Sequence, residues 1–258
     1  MAAKDRKKEL ARQRYERQQA RRQAEAARAR RVKIVGAGVA VAVIAVGGGV
    51  AYAMTRSDDK KDKKATTAAG GACTYTKAEE KGAPKNLGTP PAKPVHTGPV
   101  QATIKTAQGD VGLELDGAKA PCATNSFAFL AEKDFWKNTF CHRLSTGEGL
   151  KMLQCGDPTG TGQGGPGYQF GNENTEGATY KKGTLAMANA GPGTNGSQFF
   201  LVYGDSQLSP DYTVFGKITK GMDVLEKVAA AGIDKPGPDG TGAPKKKVTI
   251  QDVSIVGK

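Results

Sequence analysis

The sequence predicts a mainly β fold, a closed eight-stranded antiparallel barrel capped by two helices and preceded by one transmembrane helix. Eight short segments with strand character and two with helical periodicity follow one another over about 160 residues. This combination is typical of an antiparallel barrel covered at its ends by helices. Near the N-terminus, a separate apolar run is long enough to span a bilayer.

Changes in composition divide the 258 residues into four regions. We expect a basic cytoplasmic tail at 1–33, a transmembrane helix at 34–54, an extracytoplasmic linker at 55–98 and a folded domain at 99–258. The linker contains Lys-Asp runs, Thr-Ala-Gly repeats and four prolines, with little apolar surface to bury.

The tail holds most of the positive charge of the chain. It contains thirteen Lys or Arg and four acidic residues, a net charge of +9 out of the total of +13. The simplest interpretation is a solvated, partly helical segment that sets membrane topology. Contact with anionic lipid headgroups, nucleic acid or a cytoplasmic protein is the alternative, of which we favour anionic lipid and expect no nucleic-acid partner.

The apolar run 34–54 comprises twenty-one uncharged residues, about 32 Å of helix. Because the basic tail precedes it, the positive-inside rule predicts a single-pass protein of the cell membrane with its N-terminus cytoplasmic and its folded domain outside. A signal peptide cleaved after Ala53 is the alternative, since Ala51-Tyr52-Ala53 resembles a cleavage site.

The strands of the folded domain begin with a hairpin. Apolar residues alternate over 102–106 and again over 111–115, with Gly109-Asp110 as the turn between them. The final strand, 248–256, changes phase between Ile250 and Val253, which indicates a bulge. The remaining strands are predicted at 139–144, 151–156, 184–189, 198–203 and 213–218.

Two segments have the apolar spacing of helices. The first, 123–133, follows Pro121, which suits the first turn of a helix. The second, 221–230, repeats apolar residues every third position.

The stretch 183–215 has the composition of a peptide-binding surface. Six turn-forming residues, 191–196, separate two strands whose apolar side chains are interleaved with the amides of Asn189 and Gln198. The apolar residues are Met187, Phe199 and Phe200. An apolar wall beside amide groups suits an extended polypeptide ligand.

The sequence lacks the residues typical of nucleophilic catalysis, nucleotide binding and metal binding. His142 is the one histidine of the folded domain, and no G-x-S-x-G motif is present. The loop 160–165 matches G-x-G-x-x-G but leads into Pro166-Gly167 rather than a helix, which argues against nucleotide binding. The cysteines lack C-x₂-C spacing and the chain has only two histidines, so we expect no metal site. We also expect no cofactor.

Six runs of residues together resemble the cyclophilin family of peptidyl-prolyl cis-trans isomerases, in the order of that family and over about 160 residues. They are Cys141-His142-Arg143-Leu144, Gln154-Cys155-Gly156-Asp157, Gly162-Gln163-Gly164-Gly165, Met187-Ala188-Asn189-Ala190-Gly191-Pro192, Asn195-Gly196-Ser197-Gln198-Phe199-Phe200 and Val214-Phe215-Gly216-Lys217. The resemblance implies an eight-stranded barrel with a substrate groove on its outer face.

The resemblance also implies roles for individual residues. Arg143 corresponds to the catalytic arginine of the family, and Gln154 to the glutamine beside it. The other residues implied in substrate binding are Met152, Gly162, Ala188, Asn189, Ala190, Gln198, Phe200, Leu208 and Tyr212. The implied partners are proline-containing polypeptides.

The chain departs from the family pattern around this groove. The loop between Arg143 and Gln154 is three residues longer than the family norm, and the usual pocket phenylalanine is replaced by a residue near Leu150 or Lys151. Gln207 stands where many members have a tryptophan, and Tyr212 where many have a histidine. These changes argue against tight cyclosporin binding.

All four cysteines follow the apolar run, and an even number outside the cytoplasm predicts two disulfides. Within the resemblance, Cys141 and Cys155 lie on successive strands, so we predict that they bond and that Cys73 bonds to Cys122. The leading hypothesis is an isomerase acting on exported proteins as they fold. The alternative is a binding module that keeps the groove without useful catalysis.

Overall fold

The structure is a computed structural model that describes residues 71–256. The predicted tail, 1–33, and the predicted transmembrane helix, 34–54, lie outside the described residues. Within 71–256, neither of the helices has the length and apolar character needed to cross a membrane.

Twelve strands and two helices make up the described chain. The helices are α1 (Pro121–Glu132) and α2 (Met222–Ala231). The strands are β1 (Tyr75–Lys77), β2 (Pro99–Thr106), β3 (Val111–Asp116), β4 (Arg143–Gly147), β5 (Leu150–Cys155), β6 (Tyr168–Phe170), β7 (Thr184–Met187), β8 (Phe199–Gly204), β9 (Val214–Lys220), β10 (Ile233–Asp234), β11 (Thr241–Pro244) and β12 (Ile250–Val256).

The strands form one large antiparallel sheet and one small sheet. The large sheet has ten strands in the order β10-β11-β4-β5-β8-β7-β9-β3-β2-β12, while β1 pairs with β6. The prediction of a closed eight-stranded ladder is therefore wrong, because β10 and β12 are the edges of an open ladder and four short strands were not foreseen. Backbone hydrogen bonds join 138–141 to 248–250 beside the β12 edge.

The predicted hairpin and the predicted bulge are both present. β2 and β3 pair in register, and along both strands buried side chains alternate with partly buried or exposed ones, which follows from their alternating sequence. In β12 the register shifts between Ile250 and Asp252.

Helix α1 begins at Pro121 and has an unusual N-terminal cap. The buried carboxylate of Glu173, 5% exposed, accepts hydrogen bonds from the backbone N–H groups of Cys122 (3.0 Å) and Ala123 (2.9 Å). A carboxylate at this end of a helix satisfies otherwise unpaired N–H groups and interacts favourably with the helix dipole. The cap comes from a residue about fifty positions along the chain, so no local motif indicates it.

Two groups of buried apolar side chains lie within the fold. The larger is the main core between the sheet and the helices, and it includes Trp136, Phe199 and Met187. The smaller contains Met152, Tyr180, Ala186, Phe200 and Val202. We call this smaller group the outer cluster, and it positions the site described below.

Part of the predicted linker packs against the folded domain. We call residues 71–98 the strap. Its strand β1 pairs with β6, and its backbone N–H at Ala78 donates to Gly167 O at 2.9 Å. The side chain of Asn125 on α1 donates to Pro91 O at 2.8 Å. The strap is thus held at several points along its length.

Two disulfides join the pairs that the sequence predicted. Cys73 bonds to Cys122 and ties the strap to the first turn of α1. Cys141 bonds to Cys155 and links the segment before β4 to the end of β5. All four cysteines are buried.

Candidate functional site

The predicted site residues Arg143, Gln154 and Phe200 occupy one row across the sheet. Arg143 on β4 lies opposite Gln154 on β5, which lies opposite Phe200 on β8. The row continues to Ala186 on β7. Since directly opposed residues in antiparallel strands point to the same face, the sheet presents these side chains together. Arg143 and Phe200 are two strand spacings, about 10 Å, apart.

Three groups hold the guanidinium of Arg143. Its Nε donates to Thr241 Oγ1 at 2.9 Å, its Nη1 to Gln154 Oε1 at 3.3 Å and its Nη2 to Asp239 Oδ2 at 3.4 Å. The Arg143 side chain is 36% exposed, so one side of the guanidinium faces solvent. The arginine is therefore oriented by its partners while part of it remains open to a ligand.

The hydrogen bonds continue from Gln154 along the groove. Gln154 Nε2 donates to Gln198 Oε1 at 2.9 Å. Gln198 Nε2 in turn donates to the carbonyl oxygens of Gly162 (3.1 Å) and Gly164 (2.9 Å). These bonds fix the orientation of both amides and connect the arginine to the glycine-rich loop.

Asp157 organises that glycine-rich loop, residues 157–165. Its carboxylate accepts hydrogen bonds from Thr159 N (2.7 Å), Thr159 Oγ1 (2.8 Å) and Gly162 N. Burial acts to raise the pKa of Asp157, but the hydrogen bonds from Thr159, Gly164 and Gly162 outweigh it and lower the pKa. The carboxylate is thus ionised at neutral pH and acts as a structural anchor for the loop.

His142 lies behind the row, next to the same loop. Neither of its ring nitrogens has a hydrogen-bond partner among residues 71–256. Burial lowers the pKa of His142, and the charge of Arg143 acts in the same direction against the opposing effect of Asp157. A neutral imidazole in this setting is a packing residue rather than an acid or a base.

The outer cluster and the side chains packed against it form the apolar part of the site next to the row, and we call this apolar part the pocket. Met152 and Phe200 are 2% and 4% exposed, and Leu208 and Tyr212 pack against the cluster. The rings of Phe200 and Tyr212 meet edge to face with centroids 5.6 Å apart. Leu150 packs there as well. Of the two candidates for the missing pocket phenylalanine, Leu150 is therefore the one that contacts the pocket.

Tyr180 supports this pocket and was not foreseen. Its hydroxyl donates to Tyr212 O at 2.9 Å and accepts from Tyr212 N at 3.0 Å, which fixes the backbone of Tyr212. Its ring also stacks against Phe200 at a centroid distance of 6.1 Å. The sequence around Tyr180 has no feature that would indicate these contacts.

The segment Ala188, Asn189 and Ala190 lines the other side of the groove. The N–H of Ala188 donates to Gln198 O at 2.9 Å, and the N–H of Ala190 donates to Thr194 Oγ1 at 2.8 Å. Among residues 71–256, the backbone N–H and C=O of Asn189 make no hydrogen bond. The segment bounds a cavity of about 470 Å³ together with Gln154, Gly162 and Gln198.

The structure therefore brings together the residues predicted for the site, with two differences. Met187 and Phe199, expected on the groove wall, belong to the main core. Asp239 and Thr241, which orient Arg143, were not foreseen. Pro238-Asp239-Gly240 indicates a turn, but nothing in the local sequence places that turn beside a strand about a hundred residues earlier.

Comparisons with known proteins agree with this geometry. The family model described as cyclophilin type peptidyl-prolyl cis-trans isomerase/CLD matches residues 101–255. The probable peptidyl-prolyl cis-trans isomerase B of Mycobacterium tuberculosis is 47% identical over 201 residues, covering 72% of this chain and 64% of the relative. The protein of the same description from Mycobacterium leprae is 48% identical over 198 residues, covering 71% of this chain and 66% of the relative. The match thus spans just under two thirds of these relatives.

A solved structure shares the fold. The crystal structure of a cyclophilin type peptidyl-prolyl cis-trans isomerase from Cryptosporidium parvum aligns with a TM-score of 0.53 and 33% identity, covering 62% of this chain and 99% of that one. The family model covers more than half of the chain, and its match contains the row, the outer cluster and the glycine-rich loop. The chain belongs to the cyclophilin-type peptidyl-prolyl cis-trans isomerase family.

Proposed function

We propose that this chain accelerates cis–trans isomerisation of X-Pro bonds in polypeptides. The observation that supports the proposal most strongly is the transverse row that sets an oriented arginine, Arg143, about 10 Å from an apolar pocket at Phe200. The Cryptosporidium parvum relative has also been crystallised in the presence of the dipeptide Ala-Pro. A proline ring in the outer cluster would place its amide bond toward Arg143.

The reaction needs no proton transfer and no covalent intermediate. Rotation about X-Pro has a barrier of roughly 18–20 kcal/mol because the resonance of the amide must be broken. As resonance is lost, electron density returns to the prolyl nitrogen and the carbonyl carbon–oxygen bond gains double-bond character. A group that binds the twisted amide more strongly than the planar one therefore lowers the barrier.

Arg143 has the chemistry for this task. Its guanidinium donates a charge-assisted hydrogen bond, which is about twice as strong as a neutral one. The contacts from Thr241, Gln154 and Asp239 orient it before the substrate arrives, so little reorganisation is required during the reaction. The pocket formed by Met152 and Phe200 holds the ring while the preceding residue turns.

Asn189 offers the backbone groups that an extended peptide requires. Its N–H and C=O are unused among residues 71–256, whereas the N–H groups of Ala188 and Ala190 are already bonded. An extended ligand pairs with such groups in the manner of an added strand. Of the three residues predicted to pair with substrate, we assign that role to Asn189.

An isomerisation assay on a prolyl tetrapeptide with the full-length chain tests the proposal. Arg143→Ala should lower kcat/KM by about 10²- to 10³-fold, as expected for removal of one oriented donor. Arg143→Lys should recover little of this, since a point charge does not reproduce the planar guanidinium. Lys105→Met, which removes an exposed cation on β2, is the control. A folded Arg143→Ala protein with the wild-type rate would refute the proposal and favour the binding module.

We further propose that the protein is anchored in the cell membrane by residues 34–54, with the isomerase domain outside and exported proteins as its substrates. The proposal is supported by the apolar run, by the basic tail before it and by two disulfides, which suit an oxidising compartment. Carbonate extraction and external protease digestion of intact cells test it. Release of the chain by carbonate, or an N-terminus at Met54, would contradict the anchor.

A further inference from the structure

The cavity beside the groove has one wall that comes from the strap. Glu79, Glu80 and Lys81 line it together with Asn189 and Gln198. These three residues precede the segment that the family model matches, which begins at residue 101. The strap therefore adds a surface to the groove that the rest of the fold does not provide.

Contacts on both sides of the three residues fix this wall in place. The N–H of Ala78 donates to Gly167 O at 2.9 Å, and the N–H of Gly165 donates to Lys81 O at 3.2 Å. Lys81 also forms a parallel bridge with Gly164 in the glycine-rich loop. Gly164 O also accepts from Gln198, whose own amide oxygen accepts from Gln154, so the wall and these two glutamines are connected through the same loop.

Among residues 71–256, the strap supplies all the formal charge that lines the cavity. The remaining lining residues are glycine, alanine, serine, threonine, asparagine and glutamine. Glu80 accepts from Gly167 N at 2.9 Å and Gln169 Nε2 at 3.2 Å, while Lys81 donates to Gln163 Oε1 at 2.9 Å. All these partners are uncharged. Two carboxylates and one ammonium leave the cavity with a formal charge of −1.

Of the two carboxylates that line the cavity, that of Glu79 is the one available to a ligand. Glu79 is exposed, and its carboxylate makes no hydrogen bond or ion pair with any residue in 71–256. It differs in this from Glu80, whose oxygens are both engaged by the fold. A carboxylate that lines a cavity beside a peptide groove and lacks a partner can pair with a cationic side chain of the bound peptide.

We propose that the strap makes this isomerase selective for proline peptides that carry Lys or Arg close to the X-Pro bond, with Glu79 as the residue that recognises the cation. The inference rests on the proposed isomerase function and adds its substrate class. The cavity lies within the usual size range of ligand pockets. Gln154 belongs to the row and also lines the cavity, and its amide donates to Gln198 in the cavity lining. A peptide bound at Arg143 therefore passes the cavity mouth.

The test uses the full-length chain in detergent and peptide series that place Lys, Gln or Glu in turn at each position flanking the X-Pro bond. Both kcat/KM and the dissociation constant are measured, the latter by calorimetry. At one or more positions the Lys peptide should exceed the Glu peptide by about 2- to 5-fold, the range of an exposed ion pair. The ratio should fall as salt is raised, since exposed charges are screened.

Variants of the strap should move this ratio in opposite directions. Glu79→Lys should abolish or invert the Lys/Glu ratio, and Lys81→Gln should increase it. Asp110→Asn, which removes an exposed carboxylate in the β2–β3 turn, is the matched control and should leave the ratio as it is.

Two results would overturn the inference. One is equal turnover and equal affinity of Lys and Glu peptides at every position, and the other is an unchanged ratio in Glu79→Lys. Both are distinct from failure of the isomerase function itself, in which no peptide would show turnover that depends on Arg143. If no such turnover is found, the dissociation constants of the Lys and Glu peptides still test whether the strap selects cationic peptides.

Discussion

Asp239 Oδ2 lies 3.4 Å from Arg143 Nη2, although the two residues are 96 positions apart in the chain. The same carboxylate accepts from the hydroxyl of Thr241 at 2.8 Å, and Thr241 Oγ1 accepts from Arg143 Nε at 2.9 Å. Asp239 and Thr241 therefore hold the arginine as a small closed network. They act as positioning residues, since neither is expected to touch the substrate.

Removal of either partner should slow isomerisation without changing peptide binding. For Asp239→Asn we expect kcat to fall about 2- to 5-fold, in line with the small energy of an exposed ion pair. Thr241→Val should cost more, about 10-fold, because hydrogen bonds to charged groups are stronger than neutral ones. KM should remain at the wild-type value, which distinguishes positioning of a transition-state group from general damage to the groove.

Asp234→Asn is the matched control for these variants, because Asp234 is an exposed carboxylate on the neighbouring strand β10. It should leave both kinetic constants unchanged. A rise in KM with an unchanged kcat in Asp239→Asn would show that the network contributes to substrate binding instead.

Tyr180→Phe should weaken peptide binding. The substitution deletes the hydroxyl that bonds to both the N–H and the C=O of Tyr212, so the wall of the outer cluster loses its fixed position. We expect KM to rise about 3-fold with kcat nearly unchanged, and the free energy of unfolding to fall by about 1–3 kcal/mol.

Tyr75→Phe provides the comparison for Tyr180. The Tyr75 hydroxyl also has two hydrogen bonds, to Cys122 O and from Asn125 Nδ2, but its contacts are with α1 and not with the pocket. A similar loss of stability with an unchanged KM is expected. If both variants raised KM equally, the assignment of Tyr180 to the pocket would be wrong.

Removal of the two disulfides should destabilise different parts of the protein. Chain entropy alone gives about 4 kcal/mol for Cys73–Cys122 and about 3 kcal/mol for Cys141–Cys155, from sequence separations of 49 and 14. The first ties the strap, so Cys73→Ala with Cys122→Ala should expose the strap lysines to trypsin while the sheet stays folded. The second should lower the thermal midpoint of the whole domain, because it joins the segment before β4 to the end of β5, next to Arg143 and Gln154.

Limited proteolysis followed by mass spectrometry separates these outcomes, with thermal unfolding measured in parallel. Turnover of a Gln-containing prolyl peptide should survive loss of the first disulfide and fall on loss of the second. Early cleavage inside the large sheet of the Cys73/Cys122 variant would contradict this division.

Acid should destabilise the fold through His142. Burial lowers the pKa of His142 in the folded state, so the unfolded chain, with a histidine pKa of about 6.5, binds the proton more readily. Its neutral form therefore contributes stability that is complete above pH of about 6.5 and is lost as the pH falls below it. His142→Leu should remove this part of the pH dependence.

Urea unfolding at several pH values between about 7.5 and 5 measures the effect. Burial raises the pKa of Glu173, which gives a dependence of the opposite sign in both proteins, so the difference between wild type and His142→Leu isolates the histidine. An identical pH slope in the two proteins would refute the prediction.

Local sequence patterns predicted the individual strands and helices better than the contacts that hold them together. Alternating apolar residues located β2 and β3, and Pro121 located the start of α1. The resemblance in the motifs around Arg143 and Gln154 placed the two residues side by side, and in the structure they pair across β4 and β5. In contrast, the contacts of Glu173, Tyr180 and Asp239 join residues from about thirty to nearly a hundred positions apart, and no periodicity in the intervening chain indicates such pairings.

The strap was missed for a related reason. Its prolines, glycines and charges are typical of a linker, and β1 has three residues, too few for an alternating pattern. Its order comes from partners elsewhere, chiefly β6 and α1. The composition of the strap shows that it has little apolar surface to bury by itself. It does not show that the strap is ordered by contacts with other parts of the domain.

The disulfide between Cys73 and Cys122 also determines how mechanical load enters the domain. A pull applied to the chain ahead of Cys73 passes through the covalent bond into the first turn of α1. The hydrogen bonds of β1 and the contacts of Glu79–Lys81 lie inside the loop closed by that bond, so they carry none of the tension. The wall of the cavity thus keeps its shape while the domain is held from its N-terminal side.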